Sequence, residues 1–157
     1  MSTKEYDFPE ESLKGYKEKN VPATKAILTW NHDLVFLGST RQGYEIEFDA
    51  RAQEGCMPME ALLLSLAGCM AIDVVTILQK MRVSLTGFRA EIAGERNQAP
   101  PQYYTAIEIV LHLSGKNIDS QKVDRAVSLS HNKYCSVYNS LRSDMDMKIR
   151  HVLDEEN

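Results

Sequence analysis

The sequence predicts an α+β fold, and three observations predict it. Short segments of alternating polarity lie on both sides of one long apolar stretch, so strands and helices are segregated rather than interleaved one by one. The apolar stretch, residues 61–72, continues into enough further apolar positions to carry a buried helix to about residue 81. The chain has 157 residues, 43% of them hydrophobic, which is the size and composition of one domain that needs neither disulfides nor metal to hold a core.

Residues 1–22 mix Lys, Glu and Tyr with two prolines and no sustained period. They read as an N-terminal extension, partly ordered at best, ahead of a single domain over 23–157. Residues 26–30 read as a strand, Asn31, His32 and Asp33 as a turn, and residues 34–37 as a second strand. Arg41, Gln42 and Gly43 turn the chain again, and residues 44–48 alternate apolar with acidic, completing a three-stranded meander. After a loop, Pro58 fits the first helical position and Glu60 stands in the first turn, where the helix dipole favours a carboxylate. From 61 to 78 this helix is apolar on nearly every side. A helix of that kind is central, buried, and wants a partner on both sides, which predicts a homodimer. Gly87 is expected to break the chain's path. Residues 88–92 and 107–113 alternate as two strands joined by a hairpin loop at 98–102. Asp119 or Ser120 caps a helix to about Lys133, a short helix follows Cys135, and residues 145–149 alternate as a last strand. The order βββ-α-ββ-α-α-β is that of antiparallel sheets around a long helix.

Composition excludes several functions. A net charge of −4 without any Lys/Arg cluster argues against nucleic acid. An apolar run of twelve residues is too short to cross a bilayer. No secretory h-region is visible at the start, so a cytoplasmic, reducing compartment is expected. Three cysteines do not make a disulfide scaffold there, which leaves the thiols free for chemistry. His131 precedes Cys135 by four residues, but two ligands are not a metal site. Without a phosphate loop, dinucleotide glycines or serine elbow, neither cofactor nor metal is expected.

The chemistry concentrates at two thiols. Cys69 lies inside the long helix after Gly68, whose cost in a helix interior suggests close approach of another backbone or a substrate. Asp73 follows Cys69 by four and shares its face. A bare carboxylate there opposes thiolate formation, and an arginine between them would reconcile the two. Taken alone, Cys69 reads first as a small buried hydrophobe, which is what most helix cysteines are. Cys135 falls where two helices meet. At the start of the second it would face unpaired N–H groups, which lower a thiol pKa, although a packed cysteine fits the same place. Cys56, beside the helix start, reads as a free surface thiol.

Pro58, Glu60, Leu62, Leu63, Gly68, Cys69, Asp73 and Val74 resemble the first signature of the osmotically-inducible-protein-C/organic-hydroperoxide-resistance (OsmC/Ohr) superfamily. Lys133, Tyr134, Cys135, Ser136 and Val137 resemble the second, at the family's separation. In detail the chain is most similar to the YhfA-like branch. The resemblance implies an intertwined homodimer with active sites at the subunit interface. It also implies thiol-dependent reduction of organic hydroperoxides in oxidative-stress defence. Carried over, Cys69 matches the attacking position and Cys135 the resolving one, with a dithiol reductant restoring both.

Two departures stand out. Met59 occupies the place where the reductases carry a glutamate that orients an arginine over the reactive sulfur; here the carboxylate comes one residue later, at Glu60. Glu60 and Cys69 are nine residues apart, about 13 Å along a straight helix and on opposite sides of it. The family's hairpin arginine is also missing, and Arg41, in the next turn, is the nearest substitute. A thiol-dependent hydroperoxide reductase using Cys69, Cys135, Glu60 and Arg41 is therefore one reading. The other is a non-catalytic or redox-sensing protein that binds a small apolar molecule or acyl group on the same scaffold.

Overall fold

The computed structural model describes residues 10–155. It has the expected α+β architecture, divided into two compact units: Lys19–Leu64, and residues 10–18 with 65–155. The first nine residues of the expected extension lie outside the described part.

In the Lys19–Leu64 unit, β1 (Ala26–His32), β2 (Val35–Thr40) and β3 (Glu45–Asp49) form the expected antiparallel meander. Trp30 Nε1 donates to the Asp33 carbonyl at 3.0 Å across the first turn. Gly43 takes the second turn at φ +88°, where a side chain would be strained. Beyond β3 the chain folds around Asp49, whose carboxylate accepts the N–H groups of Arg51, Gln53 and Glu54 at 2.8, 2.9 and 3.1 Å. Those donors hold Asp49 below the usual carboxylate range. Within this chain the meander is thinly covered: Ile27, Leu28 and Trp30 are 68, 60 and 63% exposed.

The long helix α1 (Pro58–Lys80) has the expected bounds. By length and composition it could cross a membrane, which the twelve-residue run understates. Here Leu66, Met70, Asp73, Val74, Ile77 and Leu78 form a stripe buried in protein. Burial on every side is not met within one chain. Leu64 and Ile72 are each 63% exposed, and nothing lies within 4 Å of where a Cβ on Gly68 would sit.

After α1, β4 (Ser84–Arg96) and β5 (Tyr104–Lys116) pair as a long antiparallel hairpin. Gly87 does not break this path. The ladder absorbs it as a register shift between Leu85 and Gly87, and a Cβ there would come within 2.6 Å of Ser114 Oγ. The helix α2 (Ser120–Leu129) is capped by Asp119, which accepts the Lys122 N–H at 2.9 Å. Strand β6 (Asp146–Leu153) then runs parallel to β5, so this sheet is mixed. A returning helical crossover is what parallel pairing requires, and α2 with the turns after it supplies one. The core of this unit includes Ile109, Leu111, Leu113, Val123 and Ala126, all about fully buried. Residues 10–18 join it rather than trailing as an extension. A 3₁₀ turn at Glu10–Leu13 puts Leu13 in the core at 2% exposure.

Candidate functional site: a dithiol beside a buried carboxylate

The i, i+4 spacing on α1 places Cys69 and Asp73 on one face, as the sequence predicts. Cys135 arrives from the end of α2. There the helix widens into a π-helical turn, Ser130–Tyr134, closed by the Cys135 N–H donating to the Ser130 carbonyl at 2.8 Å. Such turns are frequent at functional sites. The widened turn delivers Cys135 and the Ser130 hydroxyl to the α1 face together. The two sulfurs and one Asp73 oxygen lie within 4.8 Å of one another. Cys69 is half-buried, while Cys135 and Asp73 are fully buried.

A buried carboxylate needs partners. Asp73 Oδ2 accepts from Ser130 Oγ at 2.9 Å. Its Oδ1 accepts from the Tyr16 hydroxyl at 2.6 Å and lies 2.7 Å from Lys17 Nζ. Lys17 also donates to the Tyr134 carbonyl at 3.0 Å, and the Tyr16 ring packs edge-on against Tyr134 at 5.1 Å. Burial, then the hydrogen bond to Asp73, push the Tyr16 hydroxyl well above its ordinary pKa, so it stays a donor. A thiophilic ion could span the two sulfurs and an oxygen. Both Asp73 oxygens are already engaged, however, and the adjacent ammonium opposes a second cation.

Cys135 differs from its expected chemistry. It closes the π-helical turn instead of starting a helix, and only a 3₁₀ turn, Tyr138–Ser140, follows. One N–H, from Tyr138, reaches its sulfur at 3.5 Å. Burial outweighs that donor and, with Cys69 and Asp73 adding in the same direction, pushes the thiol up to about 11.

Arg41 and Glu60 belong to the Lys19–Leu64 unit. Arg41 is exposed in the turn after β2, lining an open pocket of about 720 Å³ with Lys25 and Thr40. The Glu60 carboxylate accepts the Met57 N–H at 2.9 Å, the return half of a capping box that starts α1. Cys56 is half-buried in the same unit, its N–H bonded to the Glu47 carbonyl at 3.1 Å. The sequence reading missed Tyr16, Lys17 and Ser130. A lone aspartate in an apolar helix signals that partners must exist, but nothing local says which residues they are.

Fold and site together define a class: an α+β protein with one thiol on a long helix and a second, buried thiol brought to it from a helix end. The chain belongs to the OsmC-like protein family, whose model matches residues 51–150. It is 37% identical over 114 residues to protein YhfA of Escherichia coli K12, an overlap covering 72% of this chain and 85% of that one. A hypothetical protein of Aquifex aeolicus VF5 superposes with a TM-score of 0.79 at 31% identity, over 87% of this chain and 100% of the other. The fold also recurs in an organic hydroperoxide resistance protein OsmC of Legionella pneumophila, with a TM-score of 0.62 at 15% identity, over 85% and 98% of the two chains.

Proposed function

We propose that this protein reduces organic hydroperoxides by thiol chemistry, as a soluble cytoplasmic homodimer in oxidative-stress defence. The observation that carries the reading is the thiol pair: two sulfurs within 4.8 Å, one half-exposed and one buried. That asymmetry supports Cys69 as the attacking thiol and Cys135 as the resolving one. The Cys69 thiolate attacks the outer peroxide oxygen, the O–O bond breaks, and the alkoxide leaves as alcohol after taking a proton. Cys69 is then a sulfenic acid. The Cys135 sulfur displaces its hydroxyl, giving a Cys69–Cys135 disulfide and water. Closing an S–S bond of about 2.05 Å asks for only a small local movement. A dithiol reductant then exchanges with the disulfide and restores both thiols. Membership of the OsmC-like family and the fold shared with a hydroperoxide resistance protein support this reading.

The test is consumption of an organic hydroperoxide by purified protein with a dithiol reductant. Wild type should turn over and Cys69→Ser should not. Cys135→Ser should stop after one turnover with a sulfenic acid that a dione reagent traps. Equal rates for wild type and Cys69→Ser would exclude the peroxidase. Ligand binding without turnover would then leave the binding reading.

A further inference from the structure

We propose that Lys17, aided by Tyr16, is a positioning residue of the thiol pair: it neutralises Asp73 so that Cys69 can ionise beside a carboxylate. The proposal rests on reading Cys69 as the attacking thiol and supplies the cation that reading needs. Asp73 lies within 4.8 Å of both sulfurs, and its charge opposes a thiolate on either. Lys17 Nζ sits 2.7 Å from Asp73 Oδ1, and the Tyr16 hydroxyl donates to the same atom. The ammonium therefore stands one carboxylate away from both thiols.

The segment that brings these residues in is fastened by three contacts. Leu13 is buried, Lys80 at the end of α1 donates to the Ser12 carbonyl at 3.0 Å, and Lys17 bonds the Tyr134 carbonyl. At the last of those anchors Lys17 adopts φ +54°, a left-handed conformation disfavoured for a residue with a side chain. Both residues lie outside 51–150, the part matched by the family model, so the cation is added from beyond the matched region. Among the described residues, the other titratable groups around the cluster include Cys69 on α1, Cys135, Tyr134 with the Lys133 ammonium over its ring, and Tyr138, whose N–H reaches the Cys135 sulfur and whose ring packs on His131.

The test reads Cys69 directly. In a Cys56→Ser background, which leaves one thiol in the proteolytic peptide carrying Cys69, the rate of iodoacetamide alkylation is followed against pH by peptide mass. Lys17→Gln removes the charge while leaving an N–H donor on the side chain. It should slow Cys69 alkylation at neutral pH by about tenfold, moving the profile up by about one pH unit, while Lys17→Arg keeps the wild-type profile. Asp73→Asn should react faster than wild type, and Lys17→Gln/Asp73→Asn should return close to it. Should Lys17→Gln fail to fold, the comparison of Asp73→Asn with the double variant, which buries no unpaired carboxylate, reads the same effect. Superimposable profiles for that pair, or for wild type and a folded Lys17→Gln, would overturn the proposal. So would a shift produced by Arg41→Ala and not by Lys17→Gln. Alkylation needs no peroxide, so a peroxidase that fails its own test leaves this result separately readable.

Discussion

At Cys135, burial and both neighbouring acids push in one direction, and one weak N–H donor opposes them. The thiol is held neutral, with a folded pKa of about 11 against about 8.5 for an unperturbed cysteine. The folded pKa is raised, so this group's contribution to stability is complete below about pH 8.5 and is lost as pH rises toward about 11. Two results should follow. The alkylation midpoint of Cys135 should lie near 11, far from that of a free thiol. The urea midpoint of wild type should fall across this alkaline window more steeply than that of Cys135→Ser. A Cys135 that alkylates like a free cysteine would contradict the burial found here. The helical spacing of Cys69 and Asp73 was legible in the sequence because it is local. The burial of Cys135 was not, because it depends on how a helix end packs against a distant helix.

Among the elements, the loop between β3 and α1 shows how closely a turn can be specified by one position. A Cβ on Gly55 would lie 2.5 Å from the Glu47 carbonyl oxygen, a backbone atom that cannot swing aside. Gly55→Ala should therefore cost about 1–3 kcal/mol, the usual penalty for an overpacked site. Urea unfolding checks it, and an unchanged midpoint would show that the loop can shift. Helix bounds, the Asp119 cap and the meander were readable because caps and alternation are written in neighbouring residues. The reading failed at Gly87, where a bulge keeps a strand going through a residue that usually ends one. It failed again at β6, whose direction depends on the crossover and not on its own alternation.

For the whole molecule, the informative feature is apolar surface left uncovered by one chain. Ile27, Leu28 and Trp30 on the meander and Leu64 and Ile72 on α1 are all at least 60% exposed. Surface of that kind marks an association site, and a second copy is the occupant proposed here. Wild type should sediment as a dimer at micromolar concentration, with a thermal midpoint that rises with protein concentration. Ile72→Glu, which would put a charge into that interface, should shift the species toward monomer and remove the concentration dependence. A folded wild-type monomer at the same concentration would refute the homodimer.

By itself the sequence determined what depends on short range: the fold class, the extent of α1, the two thiols, and the aspartate that shares a face with Cys69. Periodicity and capping are properties of neighbouring residues, and both signature stretches lie within single segments. Only the tertiary structure decided what meets Asp73. Tyr16 and Ser130 each lie 57 residues from it, in opposite directions along the chain. An apolar helix with one buried carboxylate declares that donors are needed, through the cost of leaving the charge unpaired. It does not encode which distant segment supplies them, because that follows from how the whole chain closes around the helix.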